Sequence, residues 1–439
     1  MTSEKNTHLK RSLSPWMVWG LGVGYVISGN YFGWNLGLEK GGTLGMSIAL
    51  LFIIALYITF TFSYTELACS IPKAGGAFDY ATRAFGKDVG FVVGMAQNIE
   101  FIFAPPAIAF AIGSYGNIFF PDVSILVFSV AAYFFFVALN ISGVKVAATF
   151  ELVITILAVA ALVFFSLLTF PKFQFSHLQQ NALPFGYAGV FASIPFAIWF
   201  FLGIEGVANL AEEAINPKRT ILVGFGSAIG TLVVLCIITF LSSVGVAGWE
   251  AIVFNSDGTT SDSPLPLALG YIVDSYSWSY RFLLVVGLFG LIASFHGLML
   301  AAGRSTYEFG RVGYAPALLG QIHGKFQTPA NALLVNMGLG LLALFSGKTG
   351  EIITIAVFGA LTLYVISMLS LIRLRKVEPN LPRPFRVPLY PVFPIVALLI
   401  ATFSFVAMAI YNVKLVVIYF LIIGISYGIF KACSVKQTL

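Results

Sequence analysis

Glu205 stands in FLGIEGV between Gly203 and Gly206, and Glu100 stands in QNIEFIF, each inside a long apolar run. Ser28, Gly29 and Asn30 interrupt a third run, YVISGNYFGW, and His296 sits within a fourth, LIASFHGLML. A charge at the centre of a bilayer costs at least ~2.5–3.5 kcal/mol by insertion scales, so an acid held there is functional by default. It can take a proton, hold a gate or pair with a cation. Either glutamate could instead stay protonated and tie two helices together. A histidine in such a run can relay a proton or be satisfied by a neighbouring carbonyl.

The elements that must carry these groups are membrane helices. Of 439 residues 59% are hydrophobic and 10% charged, against ~25% charged in soluble domains. A window of about 20 residues, the length that crosses ~30 Å of hydrocarbon, gives spans near 15–38, 43–70, 89–115, 122–142, 147–170, 187–211, 220–248, 280–303, 330–347, 351–373, 390–411 and 414–432. The expected fold is an all-α integral membrane protein of about twelve helices.

Cytoplasmic loops retain Lys and Arg. With the N-terminus inside, 19 of the 24 basic residues fall on the inner side and five on the outer. Both termini are therefore expected in the cytoplasm. The net charge of +6 needs no nucleic acid, because topology and the anionic inner leaflet account for it. The opening MTSEKNTHLKRSLSPW lacks the apolar core and cleavage site of a signal peptide, so the first span is expected to stay in place. Cys69, Cys236 and Cys433 have no paired spacing and read as buried packing residues. The longest outer loop, GWEAIVFNSDGTTSDSPLPLALGYIVDSYSWS, is at most a lid or partial helix.

Spans one and six are both interrupted by glycine, and they are equivalent positions if the first ten spans form two five-helix halves. Such a pair points to an inverted-repeat secondary transporter, whose unwound backbone and half-helix ends supply a midplane site. Small residues also serve close helix packing, but two matched breaks, one holding an acid, favour the site. ATP is not the expected energy source. GKTG at 347–350 lacks the glycine a phosphate-binding loop needs at 342, which is Leu, and GLGVG at 20–24 ends a dinucleotide match at Tyr25.

ELACSIPKAGGAFDYATRAFG (66–86), FLGIEGVANLAEEAINPKRT (201–220) and GRSTYEFGRVGYAPALLGQIHGKFQTPANALL (303–334) resemble signature segments of the amino acid, polyamine and organocation (APC) transporters, through essentially the whole chain. HLKRSLSPWMVWGLGVGYVISGNYFGWNLGL is more narrowly similar to the ethanolamine permeases of that superfamily. The resemblance implies two inverted five-helix repeats plus two extra helices, with helices 1 and 6 discontinuous. It also implies substrate held between those two helices and import coupled to protons. The core then spans 15–373, preceded by a cytoplasmic segment 1–14 and followed by the last two helices and C-terminus, 374–439.

Amino acid carriers of this family have a Gly-small-Gly run in the first helix, whose bare N–H groups bind the substrate carboxylate. Here the run is Ser28, Gly29, Asn30. The Asn30 side chain crowds that nest, which favours a small amino alcohol over an α-amino acid. Glu205, which matches a family glutamate position, is expected to take the coupling proton or hold the gate. Glu100 is expected to face the ammonium group. Tyr31, Phe32, Trp34, Trp199 and Phe201 flank the breaks and offer cation–π contact. Gly203 completes the binding set, and His296 is a second candidate for proton coupling. Glu66, Glu212 and Glu213, near Lys73, Lys218 and Arg219, are assigned to inner-gate salt bridges.

The leading reading is a proton-coupled importer of ethanolamine or a related amine in the cell membrane, its partners being substrate, protons and lipid, with no cofactor and no metal. An amino acid permease or exchanger of the same fold is the alternative. A membrane sensor or enzyme ranks behind both, because no metal cluster, nucleophile-base pair or signalling domain is visible in the sequence.

Overall fold

A computed structural model describes residues 13–142 and 144–436, apart from the side chains of 144–148, 212–213 and 434–436. Most of the expected N-terminal segment and the side chains of Glu212 and Glu213 thus lie outside the described residues. Among the described residues the long elements are all helical, and extended pairing is limited to two isolated bridges, Leu13 with Ala214 and Phe254 with Thr260.

The helices are α1 (Pro15–Val26), α2 (Ser28–Tyr31), α3 (Asn35–Ser70), α4 (Ala77–Phe85), α5 (Lys87–Phe119), α6 (Ile125–Ser142), α7 (Val144–Thr169), α8 (Phe175–Gln179) and α9 (Gly186–Trp199). After a 3-10 segment, Ile204–Glu213, come α10 (Pro217–Ala247), α11 (Trp249–Val253), α12 (Pro264–Gly270), α13 (Trp278–Arg311), α14 (Ala330–Leu344), α15 (Thr349–Val377), α16 (Val392–Tyr411) and α17 (Val413–Lys436). The Ser14 hydroxyl accepts from Met17 N and Pro15 fills the first helical position, so α1 starts where capping chemistry puts it. Gly42, at φ +64°, turns the chain at the expected boundary between spans one and two.

Ten segments among the described residues are long and apolar enough to cross a membrane, and the chain is a multi-pass membrane protein. The two further expected spans are the first, divided between α1 and α2, and the ninth, α14, of 15 residues. At 1.5 Å per residue α14 covers only about 22 Å. The expected span runs to 347, but the helix stops at Leu344 and Gly347 turns at φ +68°.

The most apolar stretches of α5 and α15 are 78% buried while that of α17 is 17% buried, which separates an inner group of helices from a lipid-facing rim. α3 packs on α9, α5 on α13 and α15, and α1 on α10 and α7. Cys69 and Cys236 are buried, but Cys433 is exposed on α17. An apolar neighbourhood in sequence does not distinguish protein interior from lipid. The long loop after α10, expected on the outer side, folds into α11 and α12, and Pro264, Leu265 and Leu269 of α12 are buried.

Glu66, at the end of α3, is held by Arg375, 2.5 Å away, and Arg383, 3.3 Å away, and accepts from Val387 N at 2.7 Å. These partners stand in place of the expected Lys73, Lys218 and Arg219. Glu66 therefore ties α3 to α15 and the segment after it.

Candidate functional site

The first interruption is built from local chemistry. α1 ends at Val26, and Ser28–Tyr31 form one further helical turn. Phe32 is extended and Gly33 has φ +87°, a conformation that favours glycine. The full break therefore falls at Phe32–Trp34, later than the Ser28-Gly29-Asn30 run that announces it. Ser294 Oγ on α13 donates to Gly24 O at 2.7 Å and accepts from Ser28 N at 2.8 Å. Asn30 N donates to Ile27 O, Gly33 N to Asn35 Oδ1 at 3.0 Å, and Trp34 Nε1 to Asn30 O at 3.3 Å. The N–H groups of Ser28 and Asn30, two members of the run that aligns with the carboxylate-binding segment, thus have acceptors within the protein, as does that of Gly33.

The second interruption lies against the first. α9 ends at Trp199, Phe200–Leu202 turn, and Gly203 adopts φ +96°. The ten residues that follow wind as a 3-10 helix, a form uncommon beyond three or four residues. Gly29 packs on the Trp199 carbonyl, and a Cβ there would stand 2.9 Å from Phe200 Cα. Trp199 Nε1 donates to Phe32 O at 3.1 Å, and the Phe32 and Trp199 rings meet edge-on at 5.4 Å.

Two carboxyls converge on the second break. Those of Glu100 from α5 and Glu205 from the 3-10 segment lie against each other and against Gly203 backbone. Both residues are buried, at 0% and 1% exposure. Tyr364 OH donates to Glu205 Oε2 at 2.8 Å, and Tyr57 OH lies 2.9 Å from Tyr364 OH. Phe201 packs on the Tyr57 ring at 4.9 Å. The described groups that act on either carboxyl are another carboxyl, a tyrosine or backbone, and none is cationic. Two adjacent carboxylates out of water cannot both stay ionised and uncompensated, so this pair holds a proton or accepts a cation.

The other expected binding residues divide. Asn30 is fully buried with both side-chain amide atoms unpartnered. Tyr31 instead turns to α7 and α13, donating to Ala158 O at 2.8 Å and packing on Gly290.

His296 has a partner that sequence reasoning missed. Its Nδ1 lies 2.8 Å from Glu151 Oε2 on α7, and both residues are fully buried. Glu151 packs on Gly24 of α1 beside Thr155, whose hydroxyl donates to Gly20 O at 3.1 Å. Phe136 and Phe150 flank the imidazole, with centroids 6.1 and 5.6 Å away. The available signal is an acid inside an expected span, but Glu151 is only the fifth residue of the span 147–170 and reads as an end acid.

The family model for amino acid permeases matches residues 13–427. This chain belongs to the amino acid permease family. It is 28% identical over 413 residues to an uncharacterized transporter of Rhizobium meliloti, covering 91% of this chain and 87% of that one. It is 26% identical to the methylthioribose transporter of Bacillus subtilis and 23% identical to the branched-chain amino acid permease BcaP of the same organism, with 90% of this chain and 87% of each relative covered. The protein is thus an APC-type transporter of a small molecule, not an enzyme.

Proposed function

We propose that this permease imports a small protonated amine, ethanolamine or a close relative, by proton symport through alternating access. The observation that carries the reading is the buried Glu100–Glu205 pair with no cation facing it among the described residues. Two carboxylates have room for one ammonium ion and one proton, and the loaded pair is then neutral. Glu100 serves as the ammonium counter-ion and Glu205 as the proton carrier. His296, through its bond to Glu151, is the second coupling element. The Asn30 amide, buried and unpartnered, meets the substrate hydroxyl, while Trp199, Phe201 and Gly203 form the wall beside it. The proposed frame is twelve crossings in two inverted five-helix repeats plus two helices, in the cell membrane with both termini cytoplasmic.

The curated relatives differ in what their names say they carry, methylthioribose or branched-chain amino acids, so the substrate has to be read from the site. An amino acid needs a partner for its carboxylate. The engagement of the Ser28, Asn30 and Gly33 N–H groups supports a substrate without one. In proteoliposomes with an imposed pH gradient, ethanolamine should accumulate and should outcompete serine, glycine and alanine. Equal or tighter competition by serine would favour the amino acid alternative.

A further inference from the structure

A cavity of about 500 Å³ opens at the end of the molecule opposite the Glu66–Arg375 contact. Both α3 and α15 run from this cavity to that ion pair, so the two features mark opposite faces. The cavity's floor is Leu36, Phe196 and Thr354. Directly beneath lie Gly33, whose missing Cβ would stand 3.2 Å from Ile353 Cδ1, and Trp199, one helical turn along α9 from Phe196. The cavity therefore ends one turn above the two helix breaks.

Its wall carries five charged groups, and four of them neutralise each other. Lys40 Nζ is 2.8 Å from Glu39, and Lys348 Nζ is 3.0 Å from Glu351. Asp262 is left over, with Thr349 Oγ1 at 3.3 Å as its hydrogen-bond donor. The lining thus carries one uncompensated negative charge in a space that admits a small organic cation. We propose that this cavity is a holding site for a protonated amine, with Asp262 as its counter-ion, ahead of the Glu100–Glu205 pair. The inference rests on the amine reading for its natural ligand, but the charge of the cavity can be measured without transport. Burial pushes the Asp262 carboxyl up to about 6. It is therefore ionised at pH 7.5 and largely protonated at pH 5, while Glu39, Lys40, Lys348 and Glu351 are the other charged groups facing it.

The test places a cysteine at Thr260, which lines the cavity, in a Cys433→Ser background that removes the exposed native thiol. Modification rates are compared for a trimethylammonium and a sulfonate methanethiosulfonate reagent. The cation-to-anion rate ratio at pH 7.5 should fall roughly fivefold or more on Asp262→Asn, as expected of a carboxylate focusing cations in a cleft. It should fall similarly when the Asp262 protein is taken to pH 5. Melting temperatures of each variant control for folding. Ethanolamine should slow modification in the Asp262 protein, should fail to do so in Asp262→Asn, and should still do so in Glu100→Gln. An unchanged ratio overturns the proposal even if ethanolamine is transported. Protection that disappears in Glu100→Gln overturns it by locating the amine at the central pair alone. A changed ratio without protection by ethanolamine retains the anionic cavity but overturns its assignment as a holding site for ethanolamine.

Discussion

The two buried acid sites of this permease differ in one partner. Glu205 faces Glu100 and a tyrosine, whereas Glu151 faces His296. All four side chains are essentially inaccessible to solvent. An acid beside a base can neutralise itself by moving a proton along one hydrogen bond. An acid beside an acid cannot, so its negative charge must be met from outside. The acid-acid arrangement suits a site that loads and unloads, the acid-base arrangement one that holds helices together while a proton stays within the pair. Tyr25 lies between them, its ring packed on Gly297 next to His296 and on Gly206 next to Glu205.

The largest expected effect is at Glu205. Glu205→Gln removes the proposed proton carrier, and accumulation driven by a pH gradient should be lost in a protein that remains folded. Continued concentration of substrate would make the Glu151–His296 pair the principal coupling element and Glu205 the lesser one. Glu100→Gln comes next. Truncating one partner of a buried charge pair costs ~2–5 kcal/mol in binding, so ethanolamine affinity should fall roughly 30-fold or more, each 1.4 kcal/mol being tenfold. Unchanged affinity in a protein of normal melting temperature would make Glu100 structural.

His296→Gln should show the opposite signature, with stability falling more than binding. Glu151 is then left buried without its hydrogen-bond partner, which costs ~1–3 kcal/mol and more for a charged group, so the melting temperature should drop while ethanolamine affinity stays within about threefold on the scale of 1.4 kcal/mol per decade. The double variant Glu151→Gln with His296→Gln should regain much of the lost stability without regaining full accumulation. Affinity lost to the same extent as at Glu100 would erase the distinction between the pairs.

The sequence disclosed the acid-acid site more readily than the acid-base site, and the reason is positional. Glu100 and Glu205 sit mid-run, where hydropathy alone makes a charge conspicuous. Glu151 sits near a span end, where acids are ordinary, and its partner is 145 residues away. Periodicity cannot report such a distance. The same limit hid Arg375 and Arg383 from Glu66, whose nearest basic residues in sequence belong to another loop. The paired breaks were legible because glycine and polar residues inside an apolar run have few other uses. Their exact course was not, because Ser294, which lets Ser28–Tyr31 remain helical, lies more than 260 residues away and looks like any small residue of a membrane helix.

The smallest expected effect concerns Ser294 and sharpens why the open pair should see amines rather than amino acids. Its hydroxyl takes up Ser28 N–H and satisfies Gly24 O together, closing part of the place where a carboxylate would sit. Ser294→Ala leaves both backbone groups without that partner, and an unsatisfied buried group costs ~1–3 kcal/mol, so a modest fall in melting temperature is expected. The freed N–H is also a donor that a substrate carboxylate can use. One recovered hydrogen bond is worth ~0.5–1.5 kcal/mol, so the preference for ethanolamine over serine should narrow by roughly two- to tenfold. Ser294→Thr keeps the hydroxyl and should keep the preference. Competition of serine against labelled ethanolamine in the three proteins reads the effect directly. If Ser294→Ala lowers stability but leaves the preference untouched, the hydroxyl only caps the broken helix, and exclusion of carboxylates rests on Asn30 and the surplus negative charge of Glu100 and Glu205.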